Sequence, residues 1–447
     1  MLVLKFGGTS VGTAERMSKV ADLVTHTPGK KVVVLSALSG TTNALVQISE
    51  LLVQGNNEAI TSKIDTLEDH YFKFSESLFT DSAFIAIGKE IVRRYFGLIR
   101  LLGAGAVGSY ANGDRTIREL LAQGELIATE LFHNYLNEQG WKARMFPALH
   151  FMSIDENEEP ELEKISERLK PLLLSLEQED ILITQGFICR NHLNEIDNLK
   201  RGGSDYTASL IGAAIKAEEI QIWTDISGMH NNDPRIVRHT FPIASLSFEE
   251  ASELAYFGAK ILHPATIVPA QKHKIPVRLK NTMDELAEGT LISNLSTSGE
   301  VKAIAAKDNI TAIKIKSSRM FLAYGFLRKV FEVFERHKTS IDMITTSEVA
   351  VSVTIDDDHS LSQICEDLKQ FGIIEVDANQ TIICIVGNRL SDKEDVLKKI
   401  FNAIGTVPIR MVSYGGSRNN ISLLTETKHK ETALNLLNEG LFADALK

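Results

Sequence analysis

The sequence predicts an α/β protein: a sandwich of helices around a largely parallel sheet, followed by a repeated unit of strands and helices. The first 290 residues alternate short apolar runs with longer helical patterns, and three such runs are 31–36 (KVVVLS), 181–187 (ILITQGF) and 219–226 (EIQIWTDI). Runs that do not alternate between apolar and polar residues are typical of strands covered by helices on both faces. The remaining residues, 301–447, repeat one pattern twice with a period of roughly 70 residues.

Length and composition indicate a multidomain enzyme or sensor that binds small molecules. A chain of 447 residues is too long for one core, so about two to four domains are expected. The formal charge of −10 offers no basic surface for nucleic acid or for an anionic membrane. Three widely spaced cysteines predict neither a zinc site nor disulfides, and no apolar stretch is long enough to span a membrane. We therefore expect a cytoplasmic protein with no nucleic acid or membrane partner.

Helical patterns separate the first strands. Amphipathic segments lie at 60–102 and 115–139. A further helix opens at Ser247, where Glu250 completes a capping box three residues later, and closes at Gly258. The polar stretch 294–300 (NLSTSGE) then marks a change in composition. These signals predict a first domain at 1–293.

Each copy of the C-terminal repeat follows a βαββαβ plan. The first copy has strands at 310–317, 341–346, 349–355 and 373–376, with helices at 325–337 and 361–371. The second copy has strands at 381–386, 409–414 and 420–425, a helix capped by Ser391 and Glu394 and ended by Gly405, and a last helix near 431–438. This second copy ends before its closing strand.

The missing strand is expected from the segment that precedes the first copy. Residues 301–306 (VKAIAA) are strand-like, so we predict that they return to complete the second sheet. The second module is then 301–308 plus 379–447, and the first module, 309–378, is inserted within it. Paired ferredoxin-like modules suggest small-molecule sensors, although the same plan can be purely structural.

A glycine pair follows the first strand, where a phosphate could bind. In Gly7-Gly8-Thr9-Ser10 the glycines let backbone N–H groups close on a ligand and the hydroxyls add donors, although a tight βα turn also explains the pair. The segment is not a P-loop, because G-x-x-x-x-G-K-[ST] is absent. Lys5, in the middle of the strand, needs an anionic partner if it is buried, and a phosphoryl oxygen would serve.

Three polar segments at the ends of helices or strands could add contacts. Residues 201–205 (RGGSD) precede a helix at 206–216, so the glycines expose N–H groups at its positive terminus and Arg201 offers a fork for a carboxylate or phosphate. An N-cap after a flexible loop is the alternative. Residues 223–225 (WTD) and 232–235 (NDPR) follow a strand, where open α/β sheets bind ligands, although NDPR is also an ordinary turn.

Two charged residues admit both a structural and a functional interpretation. Lys260, at a helix end in 257–260 (FGAK), is expected to satisfy the last carbonyls unless other observations support phosphate binding. Glu125 lies beside Gly124 in a helix lined with leucines. It is either solvated or, at a cleft, a partner for a substrate ammonium.

Together these segments resemble aspartate kinase, an amino acid kinase that phosphorylates L-aspartate with ATP at the head of lysine, threonine and methionine synthesis. The resemblance covers essentially the whole chain in the family's order: KFGGTSV (5–11), VVVLSALSGTTN (32–43), QGE (123–125), TQGF (184–187), RGGSDYTA (201–208), WTD (223–225), DPR (233–235), FGAKILHPAT (257–266) and ITTSEV (344–349). It implies an amino acid kinase-like αβα sandwich followed by two ACT domains.

The resemblance also implies catalytic roles. Lys5 and the Gly7-Gly8 backbone would hold the phosphates and stabilise the transferring phosphoryl group, with Mg²⁺ held mainly by the nucleotide and no separate protein metal site. Asp205 would organise the catalytic lysines or the metal. The nucleotide site would also include Phe6, Ser10, Thr224, Asp225, His230, Asp233, Arg235 and Lys260. The aspartate site would comprise Glu125 at the α-ammonium, Arg201 at the α-carboxylate, and Thr42, Phe187, Gly202, Gly203 and Ser204 around them. Because the acceptor is already a carboxylate, positioning and charge neutralisation are expected to carry catalysis.

Feedback control is implied for the first C-terminal module. Its effector would be an end-product amino acid, most simply lysine, with threonine as the alternative, bound where ACT modules of a homodimer or dimer of dimers meet. The matching positions are Met320, Ala323, Gly325, Phe326, Leu327, Ser340, Ile341, Asp342, Ser347 and Glu348. The helix terminus suits a carboxylate, and Asp342 and Glu348 suit ammonium groups. Ala323 stands where relatives often have serine, and a tight turn with a dimer seam is the purely structural alternative.

Other departures and rival functions remain. Lys200 stands where the family usually has glycine, 194–199 (NEIDNL) replaces a threonine-rich loop, and His230 replaces a common tyrosine. A kinase of glutamate or N-acetylglutamate would not be expected to carry QGE and ITTSEV together. A catalytically silent ACT-type sensor would not need Lys5, Glu125 and Arg201. The length disfavours a fused homoserine dehydrogenase.

Overall fold

The computed structural model describes residues 1–105, 113–174, 181–200, 202–258, 263–295, 301–317 and 324–443. The chain packs as two units, Met1–Met229 with Leu262–Asn294 and His230–Ile261 with Leu295–Lys447. One division falls between Asn294 and Leu295, beside the boundary expected near residue 293, but residues 230–261 also group with the C-terminal unit. The domains at 1–293, 309–378 and 301–308 plus 379–447 stay predictions.

Strands and helices alternate through most of the chain. Their order is β1 (Leu2–Phe6), α1 (Gly8–Val11), α2 (Ala14–His26), β2 (Lys31–Leu35), α3 (Thr41–Gln54), α4 (Asn57–Leu78), α5 (Ser82–Gly105), α6 (Gly113–Glu138), β3 (Ala143–Met145), α7 (Leu162–Leu174), β4 (Ile181–Gln185), β5 (Ile188–Arg190), β6 (Ile196–Asn198), α8 (Gly203–Ile215), β7 (Glu219–Thr224), β8 (Ser245–Ser247), α9 (Phe248–Tyr256), α10 (Pro264–His273), β9 (Val277–Asn281), β10 (Thr290–Ser293), β11 (Val301–Lys316), α11 (Phe326–Arg336), β12 (Ile344–Thr346), β13 (Ala350–Ile355), α12 (Leu361–Leu368), β14 (Ile373–Gly387), α13 (Val396–Ile404), β15 (Met411–Ser413), β16 (Asn420–Glu426) and α14 (Lys430–Phe442). No described helix is long and apolar enough to cross a bilayer.

The sheet of the first unit is largely parallel, as predicted. Its strands lie in the order β3-β4-β2-β1-β7-β9-β10, and the pairs from β3 to β9 are parallel. β10 runs antiparallel to β9. Every residue of β2 and β4 is buried, which agrees with strands covered on both faces.

The predicted helix at 60–102 is two helices, α4 and α5, because the chain turns between them. Glu138 Oε1 accepts the backbone N–H groups of Thr80 (2.8 Å) and Asp81 (2.7 Å). Asp81 Oδ1 accepts the N–H of Ala83 at 2.7 Å. The Asp81 bond satisfies a donor that α5 leaves free in its first turn, and the Glu138 bonds hold the two residues before the helix, so α5 starts anew after the turn.

The sheet of the second unit is continuous and antiparallel, with strand order β12-β13-β11-β14-β16-β15. Residues 301–306 do pair with 381–386, as predicted, through pairs such as Ala303 with Val386. Separate sheets for the two copies were also expected, and that expectation is wrong. β11 and β14 each run through both copies, so one ladder of hydrogen bonds joins them, with register shifts between Lys307 and Ala312.

The helix caps in the second unit are partly as predicted. Ser247 and Glu250 form the expected capping box, with both side-chain-to-backbone bonds present. The box expected at Ser391 and Glu394 is wrong: residues 390–392 form a 3₁₀ turn, and α13 begins only at Val396. The Ser391 hydroxyl instead donates to Asp392 Oδ1 at 3.4 Å.

Candidate active site

The candidate site lies at the carboxyl edge of the first unit's sheet. Phe6 of β1 pairs with Leu35 of β2 and with Trp223 of β7, and Leu35 pairs with Gln185 of β4. These strands are parallel, so the residues that follow them meet at one edge of the sheet. They include Gly7-Gly8, 36–42, 186–187 and Asp225. Open α/β sheets bind ligands at such an edge.

Lys5 and Asp205 form a nearly buried ion pair at this edge. Lys5 Nζ lies 2.7 Å from Asp205 Oδ1, and the two side chains are 11% and 13% exposed. Lys5 belongs to the buried strand β1, and Asp205 lies in the first turn of α8. The anionic partner that the sequence required for Lys5 is therefore a carboxylate of the same unit. Such a pair holds an ammonium at a fixed position.

Glycines let the backbone approach the Lys5 ammonium. A Cβ on Gly7 would lie 3.4 Å from Lys5 Nζ, and one on Gly8 would lie 3.0 Å from the carbonyl oxygen of Ala37. Ser10, expected at the nucleotide, is buried and hydrogen-bonds to Thr282 Oγ1 at 2.7 Å. Its hydroxyl thus holds the loop after β1 to the residue that follows β9.

The turn before α8 is tightly packed around Ser204. A Cβ on Gly186 would lie 2.4 Å from Ser204 Oγ, and one on Gly203 would lie 2.4 Å from the Phe187 ring. Phe187 has φ of 68°, a conformation that costs energy for a residue with a side chain. Its N–H donates to Thr207 Oγ1 at 3.0 Å, which holds it there. Strain of this kind is common at functional sites.

Glu125 is buried, and one of its two carboxyl oxygens is not hydrogen-bonded to any described residue. The residue is 3% exposed, and its Oε2 has no hydrogen-bond partner among the described residues. Burial raises the pKa of this carboxyl from 4.5 to about 8, against the lowering effect of a backbone hydrogen bond from Ala37. A Cβ on Gly124 would lie 2.8 Å from Ala37 Cβ, so the glycine lets α6 pack against the loop after β2. Of the two interpretations of Glu125, the solvated one is wrong.

Two buried hydroxyls beside Glu125 were missed by the sequence analysis. Thr41 Oγ1 and Tyr71 Oη lie 2.8 Å apart, and burial raises the pKa of Tyr71 well above its usual value. Thr42, predicted to line the aspartate pocket, is half-buried next to Thr41. One signal in the sequence was Tyr71, a tyrosine on the apolar face of the segment that forms α4. A tyrosine at such a position is also common in an ordinary core.

The predicted nucleotide residues fall in both units. Thr224 Oγ1 donates to Asp225 Oδ1 at 3.1 Å at the end of β7 in the first unit. His230, Asp233 and Arg235 belong to the second unit. There Arg235 donates to both carboxylate oxygens of Asp233, at 2.9 and 2.7 Å, and lowers the pKa of that carboxyl. Lys260 and Arg201 lie outside the described residues.

The predicted effector positions line the start of α11 and the segment before β13. Gly325 is the N-cap of α11 with φ of 78°, and Phe326 is buried while Leu327 is at the surface. Ser340, Ser347 and Glu348 are exposed, and Ile341 is half-buried. Met320 and Ala323 lie outside the described residues.

Asp342 already holds an ammonium within its own unit. Its side chain is 0% exposed, and its Oδ1 lies 2.8 Å from Lys307 Nζ and accepts the Tyr256 hydroxyl at 3.0 Å. Lys307 Nζ also pairs with Asp356 at 2.8 Å and lies 4.6 Å from the centre of the Tyr256 ring. Sequence analysis did not single out Lys307 or Tyr256, because nothing local marks residues that far apart as partners.

The acidic groups of the first unit fit a magnesium ion held mainly by phosphate oxygens. Asp205 is the carboxylate beside Lys5, whereas burial raises the pKa of Glu125 and disfavours its charged form. Mg²⁺ commonly binds one or two carboxylates together with substrate phosphates. A cluster of Asp357, Asp358 and His359, which lies in the second unit, is exposed.

Comparison with known proteins gives consistent matches over the whole chain. The amino acid kinase family matches residues 1–281, and the ACT domain matches residues 383–441. The lysine-sensitive aspartokinase 3 of Escherichia coli is 34% identical over 99% of this chain and 99% of its own length. Aspartokinase 3 of Arabidopsis thaliana chloroplasts is 35% identical over 98% of this chain and 81% of its own.

Solved structures match equally broadly. E. coli aspartokinase III in complex with aspartate and ADP, in the R-state, superimposes with a TM-score of 0.84 at 33% identity, covering 99% of this chain and 100% of that one. The same enzyme in complex with lysine and aspartate, in the T-state, gives a TM-score of 0.82 at 34% identity, with 99% of each chain covered.

Proposed function

The chain belongs to the aspartokinases of the amino acid kinase family, and from this premise we propose that it transfers the γ-phosphoryl group of ATP to the side-chain carboxylate of L-aspartate. The product is 4-phospho-L-aspartate, and lysine acts as a feedback inhibitor. The observation that carries the proposal is the Lys5–Asp205 pair at the carboxyl edge of the sheet, beside the glycine loop.

Lys5 supplies positive charge where the transferring phosphoryl group gains negative charge. Phosphoryl transfer needs little covalent help from the protein, and catalysis comes from positioning and electrostatic stabilisation. Asp205 orients the Lys5 ammonium at 2.7 Å and so limits the reorganisation needed at the moment of transfer. The attacking carboxylate is ionised at neutral pH, so the site needs no strong base.

Glu125 receives the α-ammonium of aspartate. Its buried Oε2 has no hydrogen-bond partner among the described residues, and an ammonium placed there would return the carboxyl to its charged form. Phe187, Ser204 and the glycines around them shape the other side of the pocket, with Arg201 assigned to the α-carboxylate. The site then discriminates against glutamate because this substrate is one methylene longer and the site is tightly packed.

We assign ATP to Lys5, the Gly7-Gly8 loop, Thr224 and Asp225, and the resemblance adds His230, Asp233 and Arg235 to the nucleotide-binding residues. Mg²⁺, held mainly by the nucleotide and within reach of Asp205, neutralises phosphate charge when bound. Location in the cytoplasm stays a prediction.

An aspartyl hydroxamate assay tests the activity. Purified protein with ATP, Mg²⁺ and hydroxylamine should form hydroxamate with aspartate and not with glutamate or N-acetylglutamate. Lys5→Ala should lower kcat by several orders of magnitude, because it removes charge that acts on the transition state. Lys19→Ala is the control, since Lys19 is a surface lysine bonded to the carbonyl of Met283. Absence of hydroxamate with aspartate would contradict the proposal.

Lysine is proposed to bind the first C-terminal module at an interface between two copies of the chain. It inhibits only if it prefers an inactive arrangement. Lysine and threonine should be titrated separately against the wild type and Glu348→Ala, with the oligomeric state measured by sedimentation. We expect millimolar lysine to inhibit the wild type and the variant to respond weakly. Inhibition by threonine alone would overturn the lysine assignment and leave the kinase activity standing.

A further inference from the structure

A loop that carries nucleotide-binding candidates is built into the core of the C-terminal unit. Residues 230–242, here called the 230–242 loop, close on themselves through a bridge between His230 and Pro242. Within the loop, the N–H of Asn231 donates to the carbonyl of Phe241 at 3.0 Å. The loop contains His230, Asp233 and Arg235, the residues assigned to ATP in this unit.

Three buried asparagines join this loop to the last helix, α14. Asn231, Asn232 and Asn438 are 0%, 3% and 1% exposed. Asn231 Nδ2 donates to Asn438 Oδ1 at 2.9 Å, and Asn232 Nδ2 lies 3.4 Å from the same oxygen. Asn438 Nδ2 donates in turn to the carbonyl of His239 at 3.0 Å. The side chain of Asn438 therefore contacts both arms of the loop.

Apolar contacts support the same attachment. Val237 is buried in one cluster with Leu434 and Leu437 of α14. The rings of Phe241 and Phe442 meet edge to face, with centroids 5.6 Å apart. Apolar packing alone tolerates small slips, whereas a buried amide network is satisfied in few arrangements. The asparagines thus select the loop conformation, and the apolar residues supply most of the burial.

The network ends where the ATP candidates begin. Asn232 Oδ1 accepts the N–H of Asp233 at 3.0 Å, and Asp233 holds the Arg235 guanidinium through both carboxylate oxygens. A continuous chain of hydrogen bonds therefore runs from Asn438 through the loop to an arginine that is mostly exposed. Each link fixes the direction of the next side chain.

We propose that Asn438 is a positioning residue for ATP, acting through Asn231 and Asn232 on the conformation of the 230–242 loop. This inference rests on the proposed kinase function. It assigns to the helix of the second C-terminal module a role in nucleotide affinity that is separate from effector binding in the first module. Residues of α14 that do not contact the loop have no such role.

Substitution of Asn438 by an apolar residue of similar size tests the inference. Asn438→Leu removes the acceptor of two buried amides, so the loop must rearrange to satisfy them. We expect the KM for ATP and the dissociation constant for ADP to rise roughly three- to tenfold, with the KM for aspartate changed less than about twofold. Asn435→Leu is the matched control, because Asn435 lies on the same helix and its side chain donates to the carbonyl of Glu431 within that helix.

A second variant keeps the test valid if Asn438→Leu does not fold. Asn231→Ala should raise the same two constants, and the double variant should be no worse than the worse single variant, because both act through one network. ADP binding by calorimetry does not depend on phosphoryl transfer. A wild type that binds ADP but forms no aspartyl hydroxamate would refute the kinase proposal. Variants that bind ADP as the wild type does, or lose ATP and aspartate equally, would refute the role of Asn438.

Discussion

Glu125→Gln should abolish a loss of stability that the first unit shows as the pH rises, while it removes activity. The folded protein holds the Glu125 proton up to about pH 8, whereas the carboxyl titrates near 4.5 in its ordinary surroundings, because burial raises its pKa. A group whose pKa is raised by folding contributes stability that is present below its unfolded pKa and is lost as the pH rises through its folded pKa. The wild type without ligand therefore loses stability between about pH 4.5 and about pH 8 through this residue.

The size of the effect follows from the two pKa values. A tenfold change in an acid dissociation constant corresponds to about 1.4 kcal/mol, and the pKa of Glu125 rises from 4.5 to about 8, so the full loss is on the order of 5 kcal/mol. Glutamine has the same shape and no charge, so Glu125→Gln removes this pH dependence. Its amide adds a buried donor, which changes the stability by the same amount at every pH. The slope of stability against pH is therefore the quantity to compare.

Urea unfolding at several pH values from about 5 to about 8 measures that slope. The unfolding free energy of the wild type should fall relative to that of Glu125→Gln as the pH rises, and aspartate should restore it only in the wild type. Glu119→Gln is the control, since Glu119 lies on the same helix and is paired with Arg115 near the surface. Parallel pH profiles for the wild type and Glu125→Gln would refute the assignment of a buried, protonated carboxyl.

Three further substitutions test the packing and the charges. Gly186→Ala should raise the KM for aspartate and lower the free energy of unfolding by about 1–3 kcal/mol, since its Cβ would lie 2.4 Å from Ser204 Oγ. Gly97→Ala is the control, because this glycine on α5 faces open space and its replacement should not destabilise the protein. Ser247→Ala should lower the thermal stability of the second unit by about 1 kcal/mol, and no shift in the melting temperature would contradict the capping box. Lys307→Met should leave Asp342 buried without its cation and raise the pKa of Asp342 further. The second unit of the variant should therefore be less stable at pH 8 than at pH 5. An unfolding free energy that does not change with pH would count against the pairing.

Part of the site was readable from the sequence because its residues are neighbours along the chain. Lys5 and Gly7-Gly8 lie on one strand and the turn after it, so the alternation of strand and helix was enough to place them at an edge. The prediction that a buried Lys5 needs an anionic partner was also correct. Which residue is that partner could not be predicted from the neighbouring sequence. Asp205 is 200 residues away, and only the resemblance to a family linked the two.

Other features were hidden because burial depends on distant packing. A glutamate in a leucine-lined helix looks the same whether it faces solvent or, as Glu125 does, a loop 88 residues earlier in the chain. From its own sequence, the 230–242 loop is expected to be a polar turn after a strand. In the second unit it is hydrogen-bonded to Asn438, and no local pattern connects residues so far apart.

The charges around Asp342 change what an effector would meet in the second unit. Lys307 lies within 2.8 Å of both Asp342 and Asp356, so two carboxylates share one ammonium. Asp356 is the more exposed of these two carboxylates. Asp342, with its side chain fully buried, would have to exchange Lys307 before it could bind an effector ammonium directly. Glu348 is exposed and lies in the same module, so an effector ammonium can reach it from solvent without displacing a buried cation, and it is the better first contact. If lysine binds this module as proposed, a substitution of Asp342 should therefore change the response to lysine more than the affinity for it.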